Sequence, residues 1–305
     1  MLGRMIVTVT ANPMVEHVFP VASLTPGRAH HPAEGWAYAT GKGLNVARAL
    51  SHLGEDVLAV VATGGARGRE VVRRLEEEEI AVRAVGVSGE TRTGFVLYDR
   101  GEVTTVYGPG PALTDEDVEA VVAAVTEVLP ARLLVLAGSV NHPELYPRLS
   151  RLGVPLVLDF KHPCFRECLL GTEVLLAKPN RAESRFLLAE DDPVRAAALL
   201  TEAGAAWGVV TDGDGPAIFR TANMAWRATP PAVEAVHPVG CGDALCAGLI
   251  HTLDRDPADA VAFAMACGAH NASRPGIGHL DRAACERLAK TIHQQRLLER
   301  LPELR

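Results

Sequence analysis

Met5-Ile-Val-Thr-Val-Thr-Ala11 is apolar or β-branched at every position, near-continuous, with no charged side chain to mark a face turned to water. A strand with one face in water alternates, whereas a strand covered on both faces does not. The stretch therefore predicts a strand inside a mostly parallel sheet. The same signature recurs at residues 57–63, 133–137, 156–160, 174–177 and 208–211. Between these runs the spacing turns helical: Val46, Ala47, Leu50 and Leu53 form one stripe, and Val118, Val121, Val122, Val125 and Leu129 another. Alternating strands and helices predict an α/β fold, a parallel sheet flanked by helices. Residues 12–38 and 91–108 break this pattern with short polar–apolar alternations, as at 93–99 and 102–107, which predict antiparallel strands of a small sheet standing off the core. The acidic run at residues 76–79 reads as a solvated helix end. With no repeat or linker, residues 1–305 read as one domain carrying that smaller sheet.

Composition narrows the function classes. Hydrophobic residues make up 48% of the 305 and charged residues 22%, a globular balance. The net charge of −7 argues against a nucleic-acid partner bound through counterion release. The longest apolar run, residues 260–269, falls short of the roughly 20 residues of a membrane span, and the first residues lack the apolar core of a secretion signal. No membrane partner and a cytoplasmic location are expected. The six cysteines (164, 168, 241, 246, 267 and 285) contain no C-x-x-C pair and read as free thiols.

Four glycine- or proline-punctuated turns carry candidate chemistry. In Gly240-Cys-Gly-Asp243 the glycines precede an apolar helix that is expected to start near Asp243. Such a turn gathers N–H groups at a helix N-terminus, where negative charge is favoured. Asp243 is expected to stay ionised there through the helix dipole and to accept a proton from a hydroxyl; the plainer reading makes it a helix N-cap. Thr40-Gly-Lys-Gly-Leu-Asn-Val-Ala47 opens a second helix, but Gly43 follows Lys42, so it is no Walker A loop. It could wrap a polar ligand with its backbone and Asn45, or be a surface turn. In Lys178-Pro-Asn-Arg-Ala-Glu183, Asn180 and Glu183 either order water around Mg²⁺ or form a capping box. Thr211-Asp-Gly-Asp-Gly215 begins like a calcium loop, but Asn223 stands where the closing carboxylate belongs. A glycine turn after a strand, touching a nucleotide, is the reading left open. Three of the four lysines, Lys42, Lys161 and Lys178, sit in such turns and are candidate site residues.

In order along the chain, Thr10-Ala-Asn-Pro13, residues 41–50, residues 178–183 and Gly240-Cys-Gly-Asp243 resemble the ribokinase-like carbohydrate kinases. Within them, the likeness is to the phosphofructokinase-B branch that holds 1-phosphofructokinase and tagatose-6-phosphate kinase. Thr91-Arg-Thr93, Pro109-Gly-Pro111, Ala137-Gly-Ser139 and Thr211-Asp-Gly213 add to the match. The resemblance implies a Rossmann-like core with a β-sheet lid over the sugar, often also a homodimer interface. It implies ATP and Mg²⁺ as cofactors and a sugar or sugar phosphate as partner, with fructose 1-phosphate the best single expectation. Asp243 then resembles the base, with Gly240, Cys241 and Gly242 offering N–H groups to the transferred phosphoryl. Asn12, Glu16, Gly41, Lys42, Asn45 and Ser139 resemble sugar-binding positions, while Arg28 and Arg92 resemble a clamp for a phosphate already on the sugar. Lys178, Asn180, Thr211, Gly213 and Gly215 would meet ATP, and Asn180 with Glu183 would hold Mg²⁺ through water. Departures cluster in the sugar half: Glu16 replaces the usual Asp of Asn-Pro-x-x-Asp, Gly138-Ser-Val-Asn141 replaces Gly-Ser-Leu-Pro, Asp159-Phe-Lys-His162 replaces Asp-Thr-Ser-Gly, and Thr105-Val-Tyr-Gly108 replaces Thr-Glu-x-Asn. Two rival expectations follow: a kinase of an unphosphorylated sugar or nucleoside, and a non-catalytic binding or regulatory protein that kept the fold.

Overall fold

The computed structural model describes residues 4–99, 102–171, 173–234, 236 and 239–297. β1 (Ile6–Thr10), β2 (Met14–Pro20) and β3 (Trp36–Thr40) lead into α1 (Lys42–His52). β4 (Val57–Thr63), α2 (Gly65–Glu77) and β5 (Val82–Gly86) follow, then β6 (Arg92–Asp99) and β7 (Glu102–Tyr107). Next come α3 (Asp115–Thr126), β8 (Leu133–Ala137), α4 (Leu145–Ser150), β9 (Leu156–Asp159) and α5 (Phe165–Leu170). β10 (Val174–Ala177), α6 (Arg181–Leu188), α7 (Pro193–Glu202) and β11 (Trp207–Val210) continue the alternation. The chain ends in β12 (Ala217–Arg220), β13 (Ala225–Thr229), α8 (Cys241–His251), α9 (Pro257–Ala272), α10 (Arg282–Ala289) and β14 (His293–Leu297).

The main sheet has 10 strands in the order β14-β13-β12-β11-β10-β9-β8-β1-β4-β5. From β11 to β5 the strands are parallel, and β12, β13 and β14 extend one edge antiparallel. The unbroken apolar runs are explained by burial on both faces. In β8, Leu133, Val135 and Ala137 join the core under α1, α8 and α9, while Leu134 and Leu136 join the core under α3, α4 and α7. The chain builds outward from β1 through β4 to β5, then returns to β8 on the other side of β1. This reversal opens a crevice beyond the carboxyl ends of β1 and β8, the place where such sheets take ligands.

A second sheet of 4 strands runs β3-β2-β6-β7. The expectation of antiparallel strands needs correction, because its central pair, β2 and β6, is parallel from Met14↔Arg92 to Pro20↔Tyr98. Both strands leave the carboxyl edge of the parallel core, β2 directly after β1 and β6 directly after β5, so they travel the same way. Pairing puts Tyr38, Glu16, Gly94 and Tyr107 in one row across the sheet. The adjacent row, Ala37, His17, Phe95 and Val106, lies on the opposite face, where Phe95 and Val106 are exposed.

The solvated reading of residues 76–79 also fails at one position. Glu78 turns inward and pairs with Arg48, which is fully buried in α1 and needs a counter-charge. Among the described residues no helix is long and apolar enough to cross a membrane.

Candidate active site

The crevice beyond β1 and β8 is bridged by two of the residues singled out in the sequence. Asn12, just after β1, donates from Nδ2 to Ser139 Oγ, just after β8, at 3.0 Å. α1 starts against the same edge: a Cβ at Gly43 would fall 2.4 Å from Thr10 Oγ1, so only glycine lets the helix approach β1 this closely.

α8 enters from the opposite side. Gly240 is its N-cap in the left-handed conformation, φ 81°, and the helix begins at Cys241, two residues earlier than expected. Asp243 is therefore the third residue of the first turn and makes no capping hydrogen bond, which removes the plain N-cap reading. It is buried, and its Oδ2 accepts a 2.7 Å bond from Asn45 Nδ2 of α1. Burial and neighbouring charges, rather than the helix dipole alone, set its titration. Burial pushes its pKa up to about 6, Asp159 adds to the rise, and Lys42, Lys178 and the Asn45 bond oppose it.

A cluster of opposite charges lies beside it. Asp159, the last residue of β9, is fully buried and pairs through Oδ1 with Lys42 and through Oδ2 with Lys178, each at 2.8 Å. Lys42 also reaches Glu183 Oε1 at 2.7 Å. Burial disfavours both ammonium groups, but Asp159 and, for Lys42, Glu183 outweigh it and raise their pKa values. Burial likewise works against the Asp159 carboxylate, and the two lysines lower its pKa overall. Lys178 lies against the first turn of α8, its Nζ 3.5 Å from where a Cβ on Gly242 would stand. Lys161 does not join them; it is exposed and stacks over the Phe186 ring.

Asn180 and Glu183 form the capping box of α6: Asn180 Oδ1 accepts from the Glu183 N–H at 2.8 Å, and Glu183 Oε2 from the Asn180 N–H at 2.9 Å. The capping reading is thus realised, and it points Glu183 Oε1 at Lys42. Asn180 bridges to Thr211, and the turn after β11 closes with the Gly215 N–H on Asp212 O at 2.8 Å, with Gly213 at φ 59°. Among the described residues no group of three or more His, Cys, Asp or Glu side chains is arranged to hold a metal ion. A Mg²⁺ resting on one carboxylate through water and on phosphate oxygens would not need one.

On the side of the small sheet, Glu16 is fully buried and neither carboxylate oxygen has a hydrogen-bond partner within ordinary distance. Burial pushes its pKa up to about 7; Arg92 and Tyr107 oppose the rise, and Asp243 adds to it. Arg92 donates to Asn12 O at 3.1 Å and lies 5.8 Å from the Tyr107 ring centre, with Nε unpartnered. Arg28 is exposed in the loop before β3, and its side chain makes no hydrogen bond among the described residues.

Asp159 was quoted in the sequence only as a departure, although a lone carboxylate closing an apolar strand was a signal that it holds a cation. Tyr38 and Tyr107, in the same row as Glu16, left no motif. Their convergence comes from strand register alone.

The sequence profile described as pfkB family carbohydrate kinase matches residues 7–283. Phosphofructokinase-2 from Escherichia coli, solved in complex with potassium, is 24% identical, covers 95% of this chain and 99% of its own, and superposes with a TM-score of 0.85. A Thermotoga maritima protein described as a possible 1-phosphofructokinase is 23% identical over 96% of this chain and 100% of its own, TM-score 0.85. Ribokinase from Thermotoga maritima is 20% identical over 94% and 100%, TM-score 0.74. At these identities the likeness is one of fold, and it shows the ribokinase-like architecture expected from the sequence.

Proposed function

This chain belongs to the pfkB family of carbohydrate kinases, phosphotransferases with an alcohol acceptor, and on that premise we propose that it phosphorylates a hydroxyl of a sugar phosphate, fructose 1-phosphate first. The observation that carries the reading is Asp243: a buried carboxylate with a pKa near 6, held by Asn45 in the first turn of α8 beside Gly240 and Gly242. A base of that pKa is ionised at neutral pH yet basic enough to accept a proton. Bound ATP supplies the γ-phosphoryl group, and Mg²⁺ offsets the charge of its phosphates. Asp243 takes the proton of the acceptor hydroxyl. The N–H groups of Cys241 and Gly242 face developing negative charge, and Lys42 and Lys178 stay cationic beside them. Asn180 and Glu183 would hold the metal through water, and Thr211, Gly213 and Gly215 would border the nucleotide. Asn12, Ser139 and Glu16 would grip sugar hydroxyls, and Arg92 would take the sugar's own phosphate.

The small sheet would close over the acceptor as a lid. A second copy of this chain would cover its outer face, where Phe95 and Val106 are exposed. Six cysteines with no disulfide among them suit a reducing cytoplasm.

An ATP-consumption screen over free sugars, nucleosides and sugar phosphates tests the proposal. Turnover is expected to be greatest with a ketohexose phosphate. Turnover confined to unphosphorylated acceptors would overturn the phosphate clamp, and ATP and sugar binding without turnover would favour a regulatory protein.

A further inference from the structure

The peptide unit joining Ile277 to Gly278 is gripped at both polar ends. Its carbonyl accepts from Arg48 Nη1 at 3.3 Å, and its N–H donates to Asn271 Oδ1 at 2.7 Å. Both gripping side chains are inaccessible, Arg48 at 0% and Asn271 at 1% exposure, so water does not stand in for either. Arg48 is itself fixed by Glu78 and by a 2.8 Å bond to Ala39 O in β3. Asn271, in α9, turns its Nδ2 to Val239 O at 2.9 Å and Cys241 Sγ at 3.4 Å, the residues on either side of Gly240.

Between these anchors the chain is wedged tightly. A Cβ at Gly240 would fall 2.6 Å from Ile277 Cγ2, and one at Gly278 would fall 2.8 Å from Asn45 O. Ile277 is fully buried, and Gly240 needs its left-handed φ to start α8. Ile277 and Gly278 thus pack against both α1, which carries Asn45, and the first turn of α8, which carries Asp243. Packed interiors transmit such displacements rather than absorbing them.

We propose that Arg48 and Asn271 are positioning residues: by clamping the Ile277–Gly278 peptide they hold Ile277 against Gly240, which sets the aim of the Cys241 and Gly242 N–H groups and of the Asp243 carboxylate. This rests on the kinase reading of that turn. Neither residue meets a substrate, because each spends its polar atoms inside the protein.

The test compares Asn271→Ala, Ile277→Ala and Ile277→Val with wild type, in steady-state kinetics, thermal unfolding and hydrogen exchange of the amides of residues 240–243. Asn271→Ala and Ile277→Ala are expected to lower kcat about tenfold or more with KM values held within about twofold. Ile277→Val keeps Cγ2 and is expected to restore kcat. Should Asn271→Ala not fold, the two Ile277 variants decide. Folded Ala variants with unchanged kcat, or an Ile277→Val variant as impaired as Ile277→Ala, overturn the proposal. Exchange at residues 240–243 is expected to quicken in the Ala variants and needs no acceptor. If wild type turns over no acceptor, the kinase reading fails on its own, and unchanged exchange would overturn the clamp separately.

Discussion

The side-chain amide of Asn45 in α1 donates a 2.7 Å hydrogen bond to the Asp243 carboxylate in α8. It joins the two glycine-rich turns of the sequence into one site, and it works against burial, which raises the Asp243 pKa to about 6.

Removing that bond should move the pKa further up. A catalytic base acts only when deprotonated, so the rate climbs with pH through its pKa. In Asn45→Ala the acid limb of the kcat profile is expected to shift to higher pH, by about one unit, with a loss that grows as pH falls below about 7 and approaches about tenfold below pH 6. An unshifted limb would separate the limb from Asp243.

Asp159→Asn should act in the opposite direction. Asp159 raises the Asp243 pKa, while Lys42 and Lys178 lower it. Neutralising Asp159 leaves the lysines' field unopposed, so the acid limb is expected to fall to lower pH. Lys178 also loses its buried partner, at a cost of about 3–5 kcal/mol in chemical denaturation.

Glu16 makes a stability prediction. Its pKa stands at about 7 in the fold against an ordinary 4.5, so between those values the folded protein holds a proton that the unfolded chain has released. Stability therefore declines as pH rises from 4.5 through 7. Glu16→Gln cannot titrate and is expected to lose that decline, ending up to about 2–3 kcal/mol more stable than wild type at pH 8 by urea titration. Identical pH profiles would contradict the buried placement of Glu16.

Arg92→Ala is expected to raise KM for a sugar phosphate about tenfold or more while leaving KM for ATP within about twofold. An unaltered acceptor KM would point to an unphosphorylated substrate.

The parallel core was legible because strands such as Leu133–Ala137 must be apolar toward both neighbours, and the glycine turns because close approach and left-handed φ leave residue signatures. The antiparallel edge was not. β12 and β13 are short strands beyond the last parallel one, and β14 is mostly exposed. The sequence marked the chemistry-bearing turns but not their partners. Asn271 sits in a mainly apolar helix with no motif around it, and Glu78 lies in a run of four acidic residues whose members differ only in which way they face. Both are decided by packing at long sequence separation, which local pattern does not encode.

The central claim, that Asp243 accepts the acceptor's proton, is tested most directly by kcat and ATP affinity of Asp243→Asn measured side by side. Asparagine keeps the shape and loses the basicity, so turnover is expected to fall by about three orders of magnitude or more while ATP binds within about twofold of wild type. Turnover close to wild type in that variant would contradict the claim.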